Sequence, residues 1–204
     1  MARVIAGTAG GRRLSVPAGR DTRPTSDRAR EGLFATVQAI CGPLAGASVL
    51  DLYAGSGAVG LEALSRGAAR AVMVEADPRA VRVIRSNIAA LGLLGAHVIA
   101  GRVEPLLARG PAAAVSQPAA SEAMPGGRFG VVFADPPYAM AADAVTAVLA
   151  ALVQGAWLAP GALLAVERGT RSGPMYWPEG YTEDRSRRYG EATLWYGHAT
   201  GAAG

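Results

Sequence analysis

The sequence predicts an α/β fold, a mostly parallel sheet with helices on both faces, preceded by an N-terminal β-hairpin and helix. Short apolar runs alternate with helical stretches from Ala47 onward, the rhythm of a parallel sheet with crossover helices. Gly55-Ser-Gly-Ala-Val-Gly60 follows one such run and opens a helix, as a glycine turn at a sheet edge does. Ahead of this core, residues 2–6 and 12–17 read as two short strands around Gly7-Thr-Ala-Gly-Gly11.

Taken in order, the hairpin is followed by Thr22-Arg-Pro-Thr-Ser-Asp27, which supplies a proline and cap-forming residues to a helix carrying Leu33, Phe34 and Val37. Gly42-Pro43 ends that helix. Strands are expected at 48–52, 70–75, 97–100, 129–134 and 162–166, and helices at about 57–66, 78–91, 103–109 and 142–153. Residues 110–127, rich in Ala, Pro, Ser and Gly, read as an inserted loop. The tail, with Tyr181, Arg185, Tyr189, Thr193, Trp195 and Tyr196, reads as an antiparallel hairpin around Gly190. The boundaries expected are an N-terminal extension over 1–45 and a core over 46–198.

Bulk properties narrow the chemistry. A chain of 204 residues, half of them hydrophobic, supports one domain and a small appendage. Cys41 is the single cysteine, so neither an intrachain disulfide nor a cysteine-rich zinc site can form, which suits a reducing cytoplasm. His97 and His198 stand far apart without nearby carboxylate or cysteine partners, and no metal site is expected. Arg3 interrupts the N-terminus before any signal-peptide core can form. The apolar stretch from Ala144 to Val166 is broken by Gln154-Gly155 and Pro160-Gly161 into a helix and a strand.

Every basic residue is arginine. Arg3, Arg12, Arg13, Arg20, Arg23, Arg28 and Arg30 crowd the first thirty positions against Asp21 and Asp27, and Arg185, Arg187 and Arg188 form a second cluster. Such asymmetry points to a polyanionic partner; a solvated basic face is the plain alternative.

Two motifs carry the chemistry. In Val49-Leu-Asp-Leu-Tyr-Ala-Gly-Ser-Gly57, the glycines let backbone approach a ligand where a Cβ would collide. Glu75 ends the next strand twenty positions after Gly55, where a carboxylate can accept ribose hydroxyls. A glycine turn alone also fits a nicotinamide dinucleotide. Asp51 tilts the choice, because a carboxylate there suits the cationic methionine part of S-adenosylmethionine and would repel a pyrophosphate. The second motif is Asp135-Pro-Pro-Tyr138, after the apolar run Phe129–Ala134. An exocyclic amine on a base is a poor nucleophile because its lone pair is delocalised into the ring. The Asp135 carboxylate and the Pro136 carbonyl can accept its N–H groups, Pro136 and Pro137 hold those oxygens rigid, and Tyr138 can stack on the base. That chemistry serves guanine N2 and adenine N6 alike. A DNA adenine methyltransferase, a silent RNA-binding assembly factor and a nicotinamide enzyme therefore remain as rivals. The first lacks room for a target-recognition region, and the last lacks residues suited to hydride transfer.

These residues, with Arg3-Val-Ile-Ala-Gly7, Arg23-Pro-Thr-Ser-Asp-Arg28, Arg30-Glu31, Phe34 and Gly60-Leu-Glu-Ala-Leu-Ser-Arg-Gly67, resemble the RsmD family over roughly residues 3 to 197. Members methylate N2 of one guanine in 16S ribosomal RNA. The resemblance implies a seven-stranded class I Rossmann-like methyltransferase fold, with S-adenosylmethionine as donor, S-adenosylhomocysteine as product and no metal. It implies cofactor contacts from Asp51, Tyr53, Gly55, Ser56, Gly57, Glu75, Ala76, Arg102, Val103, Asp135, Arg23 and Thr25. It places Asp135, Pro136, Pro137 and Tyr138 around the guanine, and assigns RNA contacts to Arg12, Arg13, Arg28, Arg30, Arg187 and Arg188. Where many class members carry an Asp or Asn for the adenine amine, this chain reads Gly101-Arg102-Val103-Glu104, which shifts that contact to the Val103 backbone. The implied setting is a cytoplasmic monomer acting on a small-subunit assembly intermediate.

Overall fold

The computed structural model describes residues 2–17, 27–111 and 127–200. They fall into two compact units, 1–101 and 102–204. The N-terminal hairpin and helix lie within the first unit.

In the first unit β1 (Ala2–Arg3) pairs antiparallel with β2 (Arg13–Leu14). These strands are shorter than the expected 2–6 and 12–17. Val4 still pairs, donating to the Arg12 carbonyl and accepting from Gly11. Beyond it, the N–H groups of Ile5 and Ala6 turn to the Glu62 carboxylate, at 2.6 and 3.0 Å, and regular pairing stops. Helix α1 (Asp27–Cys41) buries Leu33, Phe34 and Val37, as the spacing predicts, and Gly42 at φ 75° closes it.

Then come β3 (Ser48–Leu52), α2 (Ala58–Ser65), β4 (Arg70–Glu75), α3 (Pro78–Leu91) and β5 (Ala96–Ala100). The strands lie in the order β5-β4-β3, all parallel. Strands β3 and β4 are buried and nearly continuous in apolar side chains, the pattern of strands covered on both faces, while β5 is mostly half-buried. Helix α3 starts where Asp77 accepts from the Arg79 N–H with Pro78 in the first turn, and stops at left-handed Gly92.

The second unit holds α4 (Val103–Ala108), β6 (Phe129–Ala134), α5 (Ala142–Gln154), β7 (Leu158–Gly169), β8 (Tyr181–Tyr189) and β9 (Ala192–Ala199). Its strand order is β6-β7-β9-β8, and only β9 runs against its neighbours. Strand β7 begins earlier than the expected 162. Pro160-Gly161 bulges the strand rather than breaking it, and the register jumps from Phe129↔Leu158 to Val131↔Leu163 with Gly161 at φ 70°. Trp157 anchors this end of the core, its indole N–H donating to the Leu107 carbonyl at 3.2 Å and its ring stacked on Phe129.

The seven core strands are thus mostly parallel with interleaved helices, the α/β class expected. Among the described residues no helix is long and apolar enough to cross a membrane. The 110–127 insertion falls largely on residues 112–126, which lie outside the described residues.

Candidate active site

In the first unit the chain leaves β3 through Tyr53 at φ 61°, Gly55 at φ 58° and Gly57 at φ 77°. A left-handed non-glycine residue costs about 1–2 kcal/mol, so Tyr53 marks strain stored at this turn. The turn is tied to β4 by Ala54 N–H to the Val74 carbonyl at 3.0 Å and by Gly55 N–H to Glu75 Oε2 at 2.8 Å. The glycines differ in duty. Among the described residues nothing lies within 4 Å of where a Gly55 Cβ would stand, so that side of the turn is left open by them. A Cβ at Gly60 would meet Met73 Cγ at 2.7 Å and Asp51 Oδ2 at 3.2 Å, and one at Gly57 would meet Ile84 and Met73 at 3.1 Å. Gly60 lets α2 sit close on β3 and β4, and Gly57 lets the turn sit close on Ile84 of α3 and Met73 of β4.

Asp51 is 4% exposed and its Oδ2 accepts from the Gly60 N–H at 2.9 Å. Burial pushes its pKa up to about 7; the Gly60 bond opposes this and the Glu75 charge adds to it. Glu75 uses both oxygens, Oε2 toward Gly55 N–H and Oε1 toward Asp77 N–H, each at 2.8 Å, so it fastens the turn after β3 to the loop after β4. Ser56 is buried, and its carbonyl accepts from Asn87 Nδ2 at 3.0 Å. Asn87, absent from the expected site, is the surprise here: no local motif marks a helix residue whose partners lie far back in the chain. Ala76 is exposed just after Glu75. Arg23 and Thr25 lie outside the described residues.

In the second unit Asp135, Pro137 and Tyr138 are exposed and Pro136 is buried, immediately after β6. The Pro137 carbonyl accepts from the Met140 N–H at 2.8 Å, and Arg168, itself buried, donates from Nη1 to the Met140 carbonyl at 3.0 Å. A Cβ at Gly169 would stand 3.3 Å from Tyr138 Cδ1, so the Tyr138 ring lies against bare backbone at the end of β7. Arg168 and Gly169 escaped the sequence reading as well; an Arg-Gly pair ending a strand is too common to signal. Arg102 caps α4 from an exposed position beside Glu104, and Val103 begins that helix with its side chain buried.

Residues 2–198 match the family model described as Conserved hypothetical protein 95. The chain belongs to this family, the RsmD methyltransferases. It is 34% identical over 189 residues to ribosomal RNA small subunit methyltransferase D of Escherichia coli K12, covering 93% of this chain and 85% of that one. The Haemophilus influenzae protein of the same name is 32% identical over 182 residues, 88% of this chain and 84% of that one. Among solved structures, the methyltransferase-like protein yhhF of Escherichia coli superposes with a TM-score of 0.79 at 30% identity over 97% of both chains.

For this RsmD-family chain the arginines sort by environment. Arg30 does not face solvent as an RNA contact would: it is 1% exposed. Its Nη2 donates to Asp27 Oδ1 at 2.9 Å and to the Arg3 carbonyl, and its Nε lies 4.0 Å from Glu62 Oε2. Burial lowers its pKa, and Glu62 and Asp27 counter that shift. Sequence charge alone could not reveal this, because Glu62 stands on a different helix. Arg12 is exposed, yet its guanidinium is committed to the Leu91 carbonyl at 2.9 Å and the Ala90 carbonyl at the end of α3. Arg13 and Arg28 are exposed in the first unit, and Arg187 and Arg188 are exposed along β8 in the second.

The RsmD-type segment Gly60-Leu-Glu-Ala-Leu-Ser-Arg-Gly67 also gains a structural meaning. Glu62, fully buried, takes the N–H groups of Ile5 and Ala6 and the Arg66 Nε at 2.8 Å. Ser65 Oγ accepts from Ala9 N–H at 2.9 Å and donates to the Ala6 carbonyl at 2.6 Å. The segment is the dock on which the N-terminal hairpin sits.

Proposed function

We propose that the protein transfers a methyl group from S-adenosylmethionine to the exocyclic N2 of a guanine in 16S ribosomal RNA. The observation that carries this reading is the Asp135–Tyr138 turn, clamped by Arg168 and backed by Gly169, in a chain aligning with 85% of a ribosomal RNA small subunit methyltransferase.

The first unit fits the donor. The open side of Gly55 admits a ligand close to backbone, and Asp51 and Glu75 bring two buried carboxylates to the same turn. When bound, S-adenosylmethionine supplies an electrophilic methyl group on a sulfonium. Asp51 is assigned to its cationic amino-acid end, and Glu75 to the ribose hydroxyls. Tyr53, Gly55, Ser56, Gly57, Ala76, Arg102, Val103, Arg23 and Thr25 are assigned to its remaining surface.

Asp135 and the Pro136 carbonyl accept the amine N–H groups and return electron density to nitrogen, while Tyr138 stacks on the unstacked base. The amine loses its proton to water once alkylated, so no strong base is asked of the tetrad. Arg13, Arg28, Arg187 and Arg188 grip phosphates, with Arg12 in a supporting place. In this reading residues 1–45 extend a 46–198 core, and the enzyme works as a cytoplasmic monomer on a small-subunit assembly intermediate.

The test is methyl transfer from labelled donor to undermodified 16S rRNA and immature small subunits, with nucleosides resolved by mass spectrometry. N2-methylguanine is expected, reduced by about 100-fold or more in Asp135→Ala. Label on adenine in duplex DNA would reassign the acceptor, and failure to bind S-adenosylmethionine would end the reading.

A further inference from the structure

We infer that Asn87 is a positioning residue through which the N-terminal hairpin sets the shape of the glycine turn. Asn87 sits on α3 and is 3% exposed. Its Nδ2 donates to the Ser56 carbonyl and to the Ser15 carbonyl, both at 3.0 Å, and its Oδ1 accepts from the Ser15 N–H at 2.9 Å. This pattern fixes the amide's orientation, because a flipped amide would face two carbonyls with an oxygen and one N–H with an NH2 group.

Each partner depends on this side chain. The Ser56 peptide lies between two left-handed glycines, at φ 58° and 77°, in a turn outside the strands and helices of the described residues, and Asn87 takes up its carbonyl. At Ser15 the amide bonds both backbone groups, as a neighbouring strand would. One helical turn further along α3, the Leu91 carbonyl holds Arg12 of the same hairpin. Glu62 and Ser65 hold the hairpin's other arm on α2. The hairpin is thus seated on the two helices that flank the turn, and Asn87 is the atom-level link between Ser15 and Ser56.

This inference rests on reading the turn as the cofactor site. Ligand bound at the turn should then tighten the hairpin, which carries none of the ligand's expected contacts over residues 2–17. The experiment uses the full chain and S-adenosylhomocysteine as probe, with amide hydrogen exchange and calorimetry. In the unaltered protein, saturating probe is expected to slow exchange at Ser15 by about five-fold or more, the lower range of typical site-to-site coupling. Asn87→Asp keeps the acceptor for Ser15 N–H and removes both donors. It is expected to weaken probe binding about ten-fold, the worth of one hydrogen bond, and to abolish the Ser15 response. A role confined to packing would lower the melting temperature and leave the Ser15 response in place. Unchanged exchange at Ser15 in the unaltered protein overturns the inference even if the variant does not fold, as does Asn87→Asp binding within about two-fold of the parent. A parent protein that binds no probe overturns both this inference and the cofactor reading beneath it.

Discussion

Gly7→Ala offers the sharpest check on how the N-terminal hairpin is held. At Gly7, φ is 83° and a Cβ would stand 1.8 Å from the Ser65 carbonyl oxygen, a backbone atom that cannot step aside. The turn must lift away, breaking Thr8 N–H to Ser65 O (2.8 Å), Ala9 N–H to Ser65 Oγ (2.9 Å) and Ser65 Oγ–H to Ala6 O (2.6 Å). At about 1 kcal/mol net each, these bonds amount to about 3 kcal/mol. Left-handed alanine adds about 1–2 kcal/mol. Gly11 supplies an internal control, with φ 81° and, among the described residues, nothing within 4 Å of its Cβ position. Gly11→Ala carries the same backbone strain and the same unfolded-state entropy gain, but no collision. The two variants should therefore differ by about 3 kcal/mol in hydrogen-exchange free energy at Ala9, with Gly7→Ala the weaker. Equal protection at Ala9 in both would refute the docking account.

Other perturbations probe the remaining parts. Asp51 has a folded pKa of about 7 against an ordinary 3.8, so between those values the folded chain binds more protons than the unfolded one. Stability from this group is therefore full at low pH and falls as pH rises toward 7, by on the order of 4 kcal/mol. Asp51→Asn should flatten that slope in urea unfolding compared at pH 5 and pH 8. Gly169→Ala crowds Tyr138 Cδ1 at 3.3 Å and should lower kcat/KM for RNA about ten-fold while leaving cofactor Kd unchanged. Arg30→Ala should cost about 1.5–3 kcal/mol of stability by removing the buried donor shared by Asp27 and the Arg3 carbonyl, read by denaturant unfolding. Arg13→Ala should spare stability and reduce the salt slope of RNA binding by about 1.

Strands β3, β4 and β6 were legible because parallel strands buried on both faces leave unbroken apolar runs. Helix α3 was legible at both ends, since Asp77-Pro78 and Gly92 are local signals. The glycine turn and the Asp135–Tyr138 stretch are each one contiguous segment, so a sequence can propose a role for them before the fold is known. Arg30, Asn87 and Arg168 were not, because their roles are set by partners reached only after folding. An arginine's charge says nothing of whether a glutamate waits 32 positions later on another helix. Pro160-Gly161 misled in the opposite sense, as punctuation that a strand absorbed by bulging.

The hairpin's dependence on α2 and α3 also orders events during synthesis. Its holding groups come 56 to 79 positions after the residues they hold. At translation speeds of about 5–20 residues per second, several seconds pass before the last of them is even made. The hairpin is therefore complete before the groups that hold it exist, and the seating of this arginine-bearing segment waits on α2 and α3.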